Sequence, residues 1–277
     1  MTAAGPTERE AELARKWLAR RGVRVAHPTR FLGVRIGGLQ AGATSTAIVS
    51  YLIFAPLIVV GTFAYLSLRK PLGAQGVRMT ESVPLYFAFF ALQLTSWRTW
   101  RLQERAVGKR LAVRVARPRR RVLDGWYLAA SSITFGGGAL LGITMFVTTP
   151  SARTYAWSWL GVLAIGALCT AVVLRSVLRA PAVVDDEASA AVDELIHTQY
   201  ADATLPAIYA APILLDLLFE NRQPHAFTWL LVAYAVLSVG VQAVAVVRHR
   251  RRRLPQGNYG TSDGVQPEVS SAPPQPT

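Results

Sequence analysis

Apolar positions along this chain fall in blocks. Splitting the sequence at its charged residues leaves uncharged runs at 36–68, 82–97, 125–152, 154–174, 203–215 and 223–247. A helix needs roughly 20 apolar residues to cross a hydrocarbon core of about 30 Å, so the runs at 82–97 and 203–215 are short and the others suffice outright. The pattern predicts an all-α, polytopic transmembrane helix bundle of about six spans, near 44–68, 82–97, 125–148, 155–174, 203–219 and 226–247. The short second run covers about 24 Å as a helix, and Arg98 and Arg101 extend it by snorkelling beside interfacial Trp97 and Trp100.

Local signals refine this plan. Thr7 and Glu10 stand at capping-box spacing, Gly22 closes the segment, and Leu13, Ala14, Trp17 and Leu18 share one face, which predicts an N-terminal amphipathic helix lying in the membrane interface. Phe31, Leu32, Val34 and Ile36 are expected to lie against headgroups beside it. Residues 1–43 then form a basic N-terminal segment, 44–248 the membrane domain with a basic loop at 98–124 and an acidic loop at 180–202, and 249–277 a disordered tail rich in Pro, Gly, Ser and Gln. Pro56 should kink the first span, and Pro206 and Pro212 should break the fifth. Gly138 and Gly142 have the small-xxx-small spacing of close helix packing, the alternative being passage of a substrate past bare backbone. Tyr155, Trp157 and Trp159 are placed as interfacial anchors at the outer surface.

Composition supports a membrane class: of 277 residues, 52% are hydrophobic and 17% charged. The formal charge of +14 comes from 30 basic and 16 acidic residues. All the basic residues except Lys16, Lys70 and Lys109 are Arg, a bias that points to a GC-rich genome. If all six runs span, one side carries 25 basic residues and the other 5, which by the positive-inside rule puts both termini in the cytoplasm of a cell-membrane protein. Omitting one short run would move the five-Arg tail outside, whereas omitting both leaves a four-span rival with the same orientation. Cys169 is the sole cysteine, so no intrachain disulfide or thiolate cluster is expected. The N-terminus lacks the short apolar core of a secretory signal.

Candidate chemistry is sparse. Arg117-Pro118-Arg119-Arg120-Arg121 lies in the basic loop without stacking aromatics, so the expected partner is the anionic headgroup layer of the bilayer and not nucleic acid. As a helix, 185–202 would bring Asp186, Asp193 and His197 to one sector, a weak candidate for a divalent-cation site. A solvated face, or an acidic face docked on the basic loop, is the plainer reading. Asp216 is the acidic residue inside a predicted span, which makes it and neighbouring Pro212 candidates for an ion or substrate path. Its place near a helix end, within reach of water, offers an ordinary interfacial carboxylate instead. Walker, zinc-protease and serine-elbow motifs are absent from the sequence, and His27, His197, His225 and His249 do not pair for haem, so neither catalysis nor a cofactor is expected.

Six spans with both ends inside, an amphipathic helix ahead of the first span and a long basic loop between the second and third resemble the permease subunits of ABC-type exporters. The chain is equally similar to other multi-pass proteins of GC-rich bacteria. The permease resemblance covers topology alone and departs between the last two spans, where residues 220–225 leave no room for the usual re-entrant elements. It implies a transport-related subunit that depends on partners, an ATP-binding subunit or another membrane protein, with self-association also admitted. The alternative is a non-catalytic scaffold or regulator. Transport predicts polar side chains converging on a cavity near mid-bilayer, and a scaffold predicts a closed bundle.

Overall fold

The computed structural model describes residues 5–41, 43–69, 82–111, 124–218 and 224–261. Five helical stretches are long and apolar enough to cross a membrane: Ser45–Leu68, Gly125–Thr148, Pro150–Arg179, Glu187–Leu218 and His225–Arg251. The protein is an all-α, multi-pass membrane protein. Its helices are α1 (Glu8–Arg20), α2 (residues 30–41), α3 (Ala43–Phe54), α4 (Pro56–Arg69), α5 (Val83–Leu111), α6 (Gly125–Thr148), α7 (Arg153–Arg179), α8 (Glu187–Asp202), α9 (Ala211–Leu218) and α10 (Thr228–Arg251). Helix α5 has 29 residues, an apolar first half that enters the bundle and a charged second half that leaves it. Residues 98–111 of the expected basic loop are therefore helix, while 112–121, with the Arg117–Arg121 cluster, lie outside the described residues.

The first span is α3 and α4 joined at Ala55, where Pro56 has no N–H to continue the ladder. It packs along α5, with Gly61 admitting the ring of Phe87, and turns Leu52, Val59 and Phe63 outward. Such exposure is unfavourable in water and neutral in lipid. In the fifth of the expected spans, the latter part of Glu187–Leu218, the break falls at Leu205, whose φ of 39° is left-handed, followed by a tight turn at Pro206–Tyr209. Pro212 does not break the chain. It sits in the first turn of α9, where a helix has no use for the missing N–H.

Two large cores, and a small one of Trp100, Val173, Val177 and Ala201 between α5, α7 and α8, hold the described residues together. Within the bundle, Tyr86, Phe90, Met145, Tyr155, Trp159, Tyr209, Leu231 and Tyr234 interlock, Trp159 meeting Tyr234 edge-on at 5.4 Å. Tyr155 and Trp159 are thus core residues and not the interfacial anchors their position suggests. Gly138 and Gly142 are buried against Leu163 and Leu160 of α7.

The second core lies at the end where α1 and the end of α10 meet, here termed the basic end. Ala14, Trp17 and Leu18 of α1 pack there with Leu32, Val34 and Ile36 of α2, Val107 of α5, Val192, Leu195 and Ile196 of α8, and Tyr259. Helix α1 forms with the expected capping box, and Gly22 follows it at φ +88°. Its apolar face, however, is covered by protein and not by headgroups, as are Leu32, Val34 and Ile36. The covering partners come from α8 and the chain after α10, some 170 residues and more away in sequence. The start of the expected tail also folds: His27–Pro28 (β1) pairs antiparallel with Gly260–Thr261 (β2), and Tyr259 is buried. Residues 262–277 lie outside the described residues.

Candidate functional site

Three polar clusters lie along one face of α5. Ser82, just ahead of the helix, Gln93 and Glu104 recur every eleven residues, close to three full turns, so they stack roughly 16 Å apart along the helix.

The first cluster surrounds Asp216. This carboxylate is 3% exposed. Its Oδ2 accepts hydrogen bonds from Tyr155 OH at 2.9 Å and Ser82 Oγ at 3.3 Å, which places groups from α9, α7 and the start of α5 around one charge. Proximity to a helix end does not bring Asp216 to water, because the aromatic core closes over it. Pro212, also buried, lies one helical turn before it.

The second cluster is uncharged. Gln93 Nε2 donates to Thr170 Oγ1 at 3.0 Å and to the Thr204 carbonyl at 3.4 Å, and Gln93 Oε1 accepts from Tyr209 OH. Thr204 Oγ1 donates to the Ala201 carbonyl, so the hydrogen bond it shares with Tyr127 takes its proton from the phenol. The left-handed turn at Leu205 is what aims Thr204 and Tyr209 at Gln93 from either side. Beside this network is a void of about 20 Å³ lined by Gln93, Trp97, Trp100, Tyr200 and Thr204, room for a single water.

The third cluster, at the basic end, carries the charge. Arg35 is fully buried. It donates from Nη1 and Nη2 to the two oxygens of Glu104 at 2.7 and 2.9 Å, and from Nη2 to Asp193 Oδ1 at 2.6 Å. Burial is the largest single influence on this guanidinium and lowers its pKa, but the two carboxylates together outweigh it, so the net shift is upward and the group stays charged. Arg35 sits in a wide π turn of α2, Gly33–Gly37. A Cβ at Gly37 would lie 2.2 Å from the Glu10 carbonyl oxygen, so the bare backbone there lets α1 lie directly on the turn. Glu10 ties the same corner to α5: its carboxylate accepts from Arg110, and that hydrogen bond is the main cause holding its pKa below the usual value. On the far side Arg21 donates to the His249 carbonyl at 2.8 Å, and Nδ1 of His249 lies 2.9 Å from Asp202, within ion-pair range but off the line of a hydrogen bond.

The structure therefore joins Asp193 and His197 but separates them from Asp186, whose side chain caps α8 by accepting from Ser189 N. In place of Asp186 stands Glu104, and single ligand atoms of Glu104, Asp193 and His197 lie within 4.8 Å of one another. His197 Nδ1 meets the Asp193 carbonyl oxygen at 2.8 Å. The cation these carboxylates hold is Arg35, so a metal ion would have to displace a three-bond guanidinium. Sequence reasoning passed over both Arg35 and Glu104. Each had a signal: Glu104 is the lone acid among ten basic residues at 98–121, and Arg35 is the lone charge between the glycines of Gly33-Val34-Arg35-Ile36-Gly37.

No family model, curated protein or solved structure matches this chain.

Proposed function

We propose that this chain is a non-catalytic membrane scaffold or regulator, seated in the cell membrane with both termini cytoplasmic, that meets its partners through the basic end. The carrying observation is the middle of the bundle. Polar side chains from α5, α6, α7 and the turn before α9 do converge there, but Gln93, Thr170, Thr204, Tyr209 and Tyr127 bond to one another and the void beside them holds about one water. At the level of Gln93 the bundle is locked, because groups already paired with one another have no bonds to exchange with cargo. The surfaces at the basic end support the same reading, since arginines line the cleft formed by Arg20, Arg24 and residues 250–253. The 25-to-5 division of basic residues supports the orientation.

Purification of the intact protein from its native membrane in mild detergent tests this. A scaffold retains soluble partners that are lost when Arg250 and Arg251 are replaced by Gln. Recovery of a stoichiometric ATP-binding subunit instead would overturn the reading in favour of transport.

A transport-related subunit is the second reading, and the burial of Asp216 favours it. A carboxylate removed from water in a span is costly, and cost of that kind is commonly retained for function. Asp216→Asn that abolishes a measured flux in proteoliposomes without unfolding the protein is the result that would establish it.

A further inference from the structure

A groove of about 500 Å³ runs between the outgoing half of α5 and the end of α7. Arg101 and Arg105 stand one turn apart on one wall, Arg175 and Arg179 one turn apart on the other. Arg101 is oriented by a 2.7 Å hydrogen bond to Ser176 across the groove and by the face of Trp97, 5.7 Å from its ring centre. The single acid in the lining, Glu104, already has both oxygens on Arg35. Among the described residues Arg105, Arg175 and Arg179 have no ion-pair partner. The groove thus concentrates unneutralised positive charge, in the fork-shaped form that suits a phosphate.

Its position narrows the anion to one source. Directly below it on the same face of α7 as Arg175 and Arg179 the surface turns apolar and exposed, at Leu168 and Val172. Trp97 marks the level at which amphipathic rings settle between acyl chain and headgroup. We propose that this groove binds the headgroup phosphate of an anionic phospholipid whose acyl chains run down the outer face of α7. A free anion would use the arginines alone, whereas a lipid uses the arginines, the indole and the apolar strip together. Binding there would also brace α5 against α7 just outside the Arg35 cluster.

The test is native mass spectrometry of delipidated, detergent-solubilised full-length protein titrated with phosphatidylglycerol or phosphatidylcholine of the same acyl chains. The expected result is one tightly retained phosphatidylglycerol and no comparable phosphatidylcholine. Arg175→Gln/Arg179→Gln, at exposed positions outside the cores, should weaken it about thirty-fold, at roughly fivefold per arginine. Arg250→Gln/Arg251→Gln removes the same charge from the separate cleft beside Arg20 and Arg24 and should leave that affinity within about twofold. Equal loss in both double variants, equal retention of the two lipids, or displacement of the lipid by inorganic phosphate would each overturn the proposal.

Discussion

Replacement of Arg35 by Met removes the one cation between two carboxylates while keeping most of the side chain's apolar volume. Asp193 has a side chain 2% exposed and cannot recover its lost bond from water, whereas Glu104, at 12%, recovers part. Two carboxylates would then share a buried site, so one must take up a proton or the helices must part. Removal of one member of a buried ion cluster costs about 3–5 kcal/mol, most of it the desolvation of what remains. Since Arg35 links α2 to α5 and α8, the cost should appear as opening of the basic end and not as loss of the membrane bundle. Hydrogen exchange measures this directly: at about 1.4 kcal/mol per decade, amides of α1, α2 and α8 should exchange at least a hundredfold faster, while those of α6 and α10 within the bundle keep their rates. The triple variant Arg35→Met/Glu104→Met/Asp193→Leu removes all three charges of this cluster together and should recover most of the protection. Acceleration below about tenfold in the single variant, or a triple variant no better than the single, would refute the account of Arg35 as the tie between these helices.

Acid should loosen α1 specifically. The Glu10 pKa is lowered by its bond from Arg110, so the contact contributes stability above the unfolded value of about 4.5 and loses it as pH falls through the lower folded value; exchange in α1 should quicken below about pH 4.5, and Glu10→Gln should remove that dependence. Gly37→Ala places a methyl group against the Glu10 carbonyl and should detach α1 from α2, read as protease cleavage near residue 21, whereas Ala at Gly136, where a Cβ meets nothing within 4 Å, should be silent. Leu205→Gly relieves a left-handed backbone at a partly exposed side chain and should raise thermal stability by about 1 kcal/mol; a clear loss would mean that the side chain and not the backbone holds the turn.

The spans were legible because the bilayer makes length and hydrophobicity a sufficient rule. The capping box at Thr7 and Glu10 was legible because it is complete within four residues. What could not be read is what covers each face. The stripe of Ala14, Trp17 and Leu18 fits a headgroup layer and a protein core equally well, and only its meeting with Val192 and Ile196 of α8 decides between them. The same holds for Asp216, whose sequence position near a helix end suggests water, and for Asp186, whose spacing to Asp193 fits a shared sector until the chain uses it as a cap. Tyr155 and Trp159 failed as anchors for a related reason: aromatic residues near a span's end are interfacial only when the bundle leaves them uncovered.

Helix α5 explains how the separate clusters act as one structure. Ser82, Gln93 and Glu104 carry its eleven-residue polar repeat from the Asp216 site through the mid-bundle network to the Arg35 cluster. Each member is tied to a different partner: α9 with α7, then α7 with the broken fifth span, then α2 with α8. An eleven-residue spacing drifts only about 20° over three turns, so a single straight helix can serve all three. Rotation of α5 by half a turn would unpair every cluster at once, which disfavours partial slippage and makes the polar register of this helix all-or-none. The same face therefore joins the basic end to the Asp216 site along one helix. A partner or lipid bound beside Arg101 and Arg105 would act on Asp216 through α5, and for that reason a regulator fits this architecture better than a conduit does.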